Sequence, residues 1–104
     1  MAVVGKSFNL GGKLDIPSAG TAVQLTSTQI GVEVLIIEAD EGNGSKKVYV
    51  GDSSVSATKY ATVLAAGESI TLRVSSGWPV NQLDISTVYV DTSSNGADVQ
   101  WSYM

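Results

Sequence analysis

"VEVLIIEADEGNGSKKVYVG", residues 32–51, decides the fold. In its first part Val32, Val34 and Ile36 share one face of an extended chain, and Leu35 and Ile37 make the other face apolar as well. A short β-branched run of this kind predicts a central strand over 32–39 with both faces at least partly covered. "DEGNGS" (40–45) follows, where Asn43-Gly44 favours a tight hairpin with positive φ. "KKVYVG" (46–51) then resumes an extended, alternating pattern. Strand, turn and strand in so short a span predict an antiparallel sheet.

The same grammar extends in both directions. Further strands are expected at 13–16 (KLDI), 21–26 (TAVQLT), 69–75 (SITLRVS), 86–91 (STVYVD) and 98–103 (DVQWSY). In 69–75, Ile70, Leu72 and Val74 oppose Thr71 and Arg73; in 98–103, Val99, Trp101 and Tyr103 oppose Gln100 and Ser102. A period of two places one face on a core and leaves the other wet. The 14 valines, 6 isoleucines and 8 threonines suit pleated surfaces, and 11 glycines and 14 serines break the apolar stretches at turn spacing. The expected fold is therefore all-β: a small antiparallel β-sandwich of about seven or eight strands. "SATKYATVLAA" (56–66) is read as irregular, because its alanines permit a helical turn that Thr58, Thr62 and Val63 do not promote.

A chain of 104 residues makes one domain, since two independent cores would each be too small. With 43% hydrophobic and 15% charged residues it has the balance of a packed globule rather than a disordered chain. Net charge −4 and pI about 4.4 oppose binding to a nucleic-acid backbone, and Lys46-Lys47 is the only adjacent basic pair. There is no cysteine or histidine, which removes thiol nucleophiles, disulfides, the commonest transition-metal ligands and the usual base near neutral pH. Neither a long apolar run nor a signal-peptide pattern is present, so no membrane partner is expected.

No catalytic constellation emerges. No Gly-x-Ser-x-Gly elbow occurs, and a serine–lysine arrangement through Lys46, Lys47 or Lys59 is singled out by no spacing. Glu33 and Glu38 share a strand at odd separation and so face opposite ways. The other acids mostly neighbour Gly, Ser or Asn, where they cap turns. "DEGNG" offers Asp40, Glu41 and Asn43 to a hard cation, but it lacks an EF-hand's third acid and distal glutamate. A plain hairpin turn is the reading, with no metal or cofactor expected.

One internal repeat stands out: "KVYVGDSS" (47–54) and "TVYVDTSS" (87–94). Two similar, edge-related strands leaving the sheet through similar Ser-Ser exits explain it, with serine hydroxyls bonding the freed backbone. The competing explanation is a ligand surface built from Tyr49 and Tyr89. Trp78, between Gly77 and Pro79 in the connection 75–82, is either an anchor for a contact or a plug tucked under the sandwich; Trp101 alternates with core positions.

The order of these signals resembles small virion proteins of tailed bacteriophages over residues 19–104. It runs from "GTAVQL" through "VLIIEAD", "KKVYVGDSSVSAT" and "LAAGESITLRV" to "TVYVD" and "ADVQWSYM". The resemblance implies a sandwich, often jelly-roll-like, without enzymatic activity. Its implied role is capsid decoration, or cement: a homo-oligomer, commonly a trimer, that binds the major capsid protein on the outside of the assembled phage head. Residues 1–12 are then expected to be a contact arm preceding a domain at 13–104. Val3, Val4, Phe8, Leu10, Trp78 and Val80 are the apolar residues outside the periodic strands and become the candidate protein contacts, with packing on the domain's own core as the alternative. Two other readings stay open: a tail or neck component of the virion, and a carbohydrate- or receptor-binding module using Tyr49, Tyr89 and Trp78.

Overall fold

A computed structural model describes residues 8–73 and 82–104. Ten strands occur among them: β1 (Asn9–Ile16), β2 (Val23–Gln24), β3 (Gly31–Val32), β4 (Val34–Ala39), β5 (Val48–Gly51), β6 (Thr62–Leu64), β7 (Ser69–Arg73), β8 (Leu83–Asp84), β9 (Tyr89–Thr92) and β10 (Ala97–Tyr103). They form two four-stranded sheets, β1-β10-β4-β7 and β2-β9-β5-β6, plus the small pair β3-β8. All pairings are antiparallel.

Setting the small pair aside leaves eight strands that nest. β1 pairs with β10, β2 with β9, β4 with β7 and β5 with β6. The chain thus behaves as one long hairpin, with β5 and β6 at its tip, rolled so that successive pairs fall in alternate sheets. That is the strand order of a jelly roll.

Alternation explains which residues meet between the sheets. Ile16, Leu35, Ile37, Ala39, Ala97 and Val99 from the first sheet face Val48, Val50, Leu64 and Val90 from the second, and none is more than 4% exposed. Each buried Val, Leu or Ile contributes about 1.5–3 kcal/mol, so this layer is the main source of stability. β4 is central, as its two-sided apolar pattern predicts. β7 and β10 also place their expected residues, with Ile70, Leu72, Trp101 and Tyr103 packed against the core.

The structure departs from the sequence reading in several places, one being the strand expected over 86–91: a 3-10 turn, Ile85–Thr87, capped by the Asp84 side chain, takes its first residues, and β9 begins only at Tyr89. The strand expected over 32–39 is broken at Glu33, because the N–H groups of Glu33 and Val34 both donate to the Met104 carbonyl (2.9 and 3.1 Å). Two donors on one acceptor bend the chain there, as in a bulge, and free β3 to pair with β8. Residues 62–64, expected to be irregular, form β6, where Thr62 and Val63 follow their β-branched preference. The Asn43-Gly44 hairpin is instead a 3-10 turn, Glu41–Asn43, with Gly44 at φ 64° ending it. Finally, β1 begins at Asn9, paired with Tyr103, so residues 9–12 of the expected arm already belong to a sheet.

Gly11 is where β1 passes the Trp101 indole. The register shifts between Leu10 and Gly12, so Gly11 is the extra residue of a bulge, and its α-carbon lies against the Trp101 indole. A β-carbon there would overlap the ring. The ring in turn stacks on Tyr103 with centroids 5.6 Å apart.

Candidate functional site

The two Val-Tyr-Val copies are not edge-related: β5 and β9 are the two central strands of the second sheet, paired with each other. Their equivalent valines, Val50 and Val90, lie directly opposite, which relates the copies by a local twofold. Val48, Val50 and Val90 point into the core, while Tyr49 and Tyr89 take the outer face, half-buried. The next residue in each copy lies opposite the other copy's tyrosine: Asp91 opposite Tyr49, and Gly51 opposite Tyr89.

That single difference separates the two halves of the face. At Gly51 the β5–β6 loop packs down, and a β-carbon on Gly51 would sit 3.1 Å from Val55 Cγ2; Val55 itself is buried. At Asp91 an open hollow of about 440 Å³ remains, lined among others by Gly20, Tyr49, Ser56, Thr58 and Ser93. Asp91 is an outward residue, yet it is only 1% exposed. The β1–β2 loop covers it. Gly20, at φ 88°, donates its N–H to Asp91 Oδ1 (3.0 Å), and Thr92 N–H donates to the same oxygen (2.8 Å). Asp91 Oδ2 is buried with no hydrogen-bond partner. Tyr49 leans on Tyr60 of the β5–β6 loop, with centroids 5.2 Å apart and planes 31° apart.

The Ser-Ser exits differ as well. After β9 one serine acts as expected, Ser93 Oγ accepting the Lys47 N–H (2.9 Å), and Thr92 rather than the second serine supplies the other hydroxyl, its Oγ1 donating to the Ser94 carbonyl (2.8 Å). After β5 the acid takes that role, since Asp52 Oδ1 accepts the Ser54 N–H (2.8 Å). The Ser54 hydroxyl bond, followed by this backbone bond, holds the Asp52 carboxyl below its usual value.

A second groove of about 350 Å³ crosses the outer face of the first sheet, past Leu10, Lys13, Ile36 and Gln100. Several polar groups in and beside it pair with one another. Gln100 Nε2 donates to Asp40 Oδ1 (2.8 Å), Gly42 N–H donates to Asp40 Oδ2 (3.0 Å), and Lys13 Nζ lies 3.9 Å from Asp40 and 3.8 Å from Asp98. The Gln100 bond first, then the Gly42 bond and the nearby Lys13 charge, lower the Asp40 carboxyl below the ordinary range despite partial desolvation.

The loop weighed as a cation site is committed elsewhere. Asp40 caps the 3-10 turn, and the Asn43 side chain is spent on the backbone of Asp98, donating to its carbonyl and accepting its N–H (both 2.9 Å). No group of three or more potential acidic ligands exists among the described residues.

Of the candidate contacts, Phe8 and Leu10 stand bare at the start of edge strand β1, 60% and 80% exposed. Val3, Val4, Trp78 and Val80 lie outside the described residues. Tyr49 and Tyr89 share one face, with Tyr49 at the hollow. Sequence reasoning passed over Asp91 as a loop acid. Its one signal was the Gly-to-Asp change between the two repeats. No protein-family model, curated protein or solved structure matches this chain.

Proposed function

We propose that this chain is a non-enzymatic structural protein of a phage virion, a decoration protein that binds the outer surface of the assembled head and ties neighbouring capsomers together. The observation that carries the reading is the bare apolar pair Phe8, just before edge strand β1, and Leu10, within it. Large apolar side chains gathered at an unprotected sheet edge are what a protein contact uses. The jelly-roll order supports it too, being the architecture that the resemblance over residues 19–104 implies.

The mechanism is multivalent clamping. Each copy binds weakly through its β1 edge, and an oligomer, a trimer in this reading, engages several capsomers at once and multiplies the weak affinities. Nothing in such a role needs a nucleophile or a base. The test is cosedimentation of the purified chain with head shells lacking it, both immature and expanded. Saturable binding to expanded shells alone, at a stoichiometry matching their symmetry positions, is the expected result. Absence of binding to either form sinks the reading.

A further inference from the structure

The chain carries two Asn-Gly dipeptides, Asn43-Gly44 and Asn95-Gly96. Glycine leaves the preceding asparagine amide open to attack by its own backbone nitrogen, because no β-carbon crowds the approach. The fold treats the two pairs in opposite ways. Both polar groups of the Asn43 amide are bonded to the Asp98 backbone and the residue is buried, so its amide is freed only when β10 comes loose. Asn95 lies in the β9–β10 turn, within a run of four exposed residues, 93–96. Its Oδ1 accepts the N–H of exposed Ala19 (2.8 Å).

The attacking atom at this second pair is Gly96 N. Its N–H donates to the Ile16 carbonyl (2.9 Å) beside the last residue pair of the β1–β10 ladder, so reaction waits on the opening of that one bond. Opening at the loop end of a ladder takes far less free energy than loosening a central strand. A cation also stands beside Gly96: a β-carbon there would lie 3.7 Å from Lys46 Nζ, so the ammonium occupies the side that a side chain would fill. In that place it favours the two negative charges the reaction passes through. One is the deprotonated Gly96 nitrogen, and the other is the oxyanion formed when that nitrogen adds to Asn95 Cγ.

We infer that Asn95-Gly96 is a site of spontaneous deamidation, promoted by Lys46, that loosens the β1–β2 loop. Gly96 N gives its proton to hydroxide and bonds to Asn95 Cγ. The bond from Cγ to the side-chain nitrogen breaks, and that nitrogen leaves as ammonia with a proton from water, closing a succinimide ring. Water then opens the ring: at Cγ it yields aspartate, and at the backbone carbonyl it yields isoaspartate, whose main chain runs through Cβ and Cγ. Aspartate keeps an oxygen for Ala19. Isoaspartate adds a carbon to the turn and removes that oxygen from its place. Gly20, the next residue, is held through its N–H by Asp91 Oδ1 (3.0 Å), so isoaspartate takes away one of two consecutive anchors of the loop.

The experiment incubates the full chain, folded and in urea, at mildly alkaline pH over weeks. Peptide mass mapping reads each amide-to-acid change as a gain of about one mass unit, and an isoaspartyl methyltransferase marks the isoaspartate. In urea both asparagines should react at similar rates; in the folded chain Asn95 should react at least about tenfold faster than Asn43. Lys46→Gln should slow Asn95 about two- to fivefold at low salt with Tm unchanged, and the gap should close at high salt. Amide exchange at Ala19 and Gly20 should be faster in the isoaspartate fraction than in Asn95→Asp, which keeps the acceptor. Equal rates at the two sites in the folded chain, an unchanged rate in Lys46→Gln, or unchanged exchange at Ala19 would overturn the proposal. It does not rest on the head-binding reading, and no shells enter the measurement, so its failure leaves the cosedimentation result untouched.

Discussion

Asn43→Ala is the most informative perturbation of the fold, because one side chain completes a strand. β10 runs two residues beyond its last pair with β4: Val99 pairs with Ala39, and neither Asp98 nor Ala97 has a β4 residue opposite. The Asp98 N–H donates instead to Asn43 Oδ1, and its carbonyl accepts from Asn43 Nδ2 and from the Asp40 N–H (3.0 Å). The amide of Asn43 thus stands in for the next peptide group of β4, which explains why it is only 4% exposed. Truncation leaves the carbonyl one bond and the Asp98 N–H none. An orphaned donor costs about 1–3 kcal/mol and a lost neutral bond about 1 kcal/mol, giving a destabilisation of about 2–4 kcal/mol. For a domain of this size that lowers Tm by roughly 10–25 °C. Urea unfolding should show a lower midpoint with an unchanged slope, because the native surface is the same. Asn43→Asp should cost at least as much, since it sets a carboxyl oxygen against the Asp98 carbonyl. A loss below about 0.5 kcal/mol in either variant would refute the reasoning, for that is the range of surface substitutions that touch nothing.

Three further outcomes follow from other parts of the molecule. Gly11→Ala should lose about 1–3 kcal/mol by driving a methyl into the Trp101 ring, an effect of overlap alone because Gly11 is not among the positive-φ glycines; a double-mutant cycle with Trp101→Leu should recover part of the loss, and full additivity would speak against the contact. The Asp40 carboxyl, lowered chiefly by Gln100, contributes stability that is present above the ordinary Asp value and lost as pH falls through the lowered folded value. Gln100→Ala should therefore raise the Asp40 pKa in a carboxyl-carbon NMR titration and shrink the acid-labile part of the stability; an unmoved titration would refute it. Leu10→Asp and Phe8→Asp should leave Tm nearly unchanged, since both side chains are bare, while abolishing shell cosedimentation. Equal loss of fold and of binding would show that they serve the domain itself.

What the chain reveals by inspection depends on how local the cause is. β4, β7 and β10 are written in alternation that needs no partner to be read, and the seven expected strands all have counterparts. β8 holds two residues and only pairing with β3 makes it a strand, while β2 keeps just two paired residues of the strand expected over 21–26. β6 was obscured by the alanines around it. Asn43-Gly44 carries a hairpin signature, yet Asp98, 55 positions away, claims the asparagine and tightens the turn into a 3-10 helix. Asp91 is the clearest case: a strand-end acid beside Thr and Ser reads as solvated, and its burial comes from Gly20, 71 positions earlier.

The internal repeat also explains why the two halves of the outer face differ. Antiparallel pairing of Val50 with Val90 sets two like segments about a local twofold, so any surface they build should come in two equivalent halves. The sequence breaks that symmetry at one position. Glycine at 51 removes the side chain that would hold the β5–β6 loop away, and Val55 settles onto the backbone there, burying apolar area. At 91 a carboxyl group occupies the equivalent place, and one of its oxygens captures the Gly20 N–H from the β1–β2 loop. The valines of the repeat thus account for the core, and the Gly-to-Asp difference separates a hollow of about 440 Å³ at Asp91 from a smaller one of about 190 Å³ at Gly51.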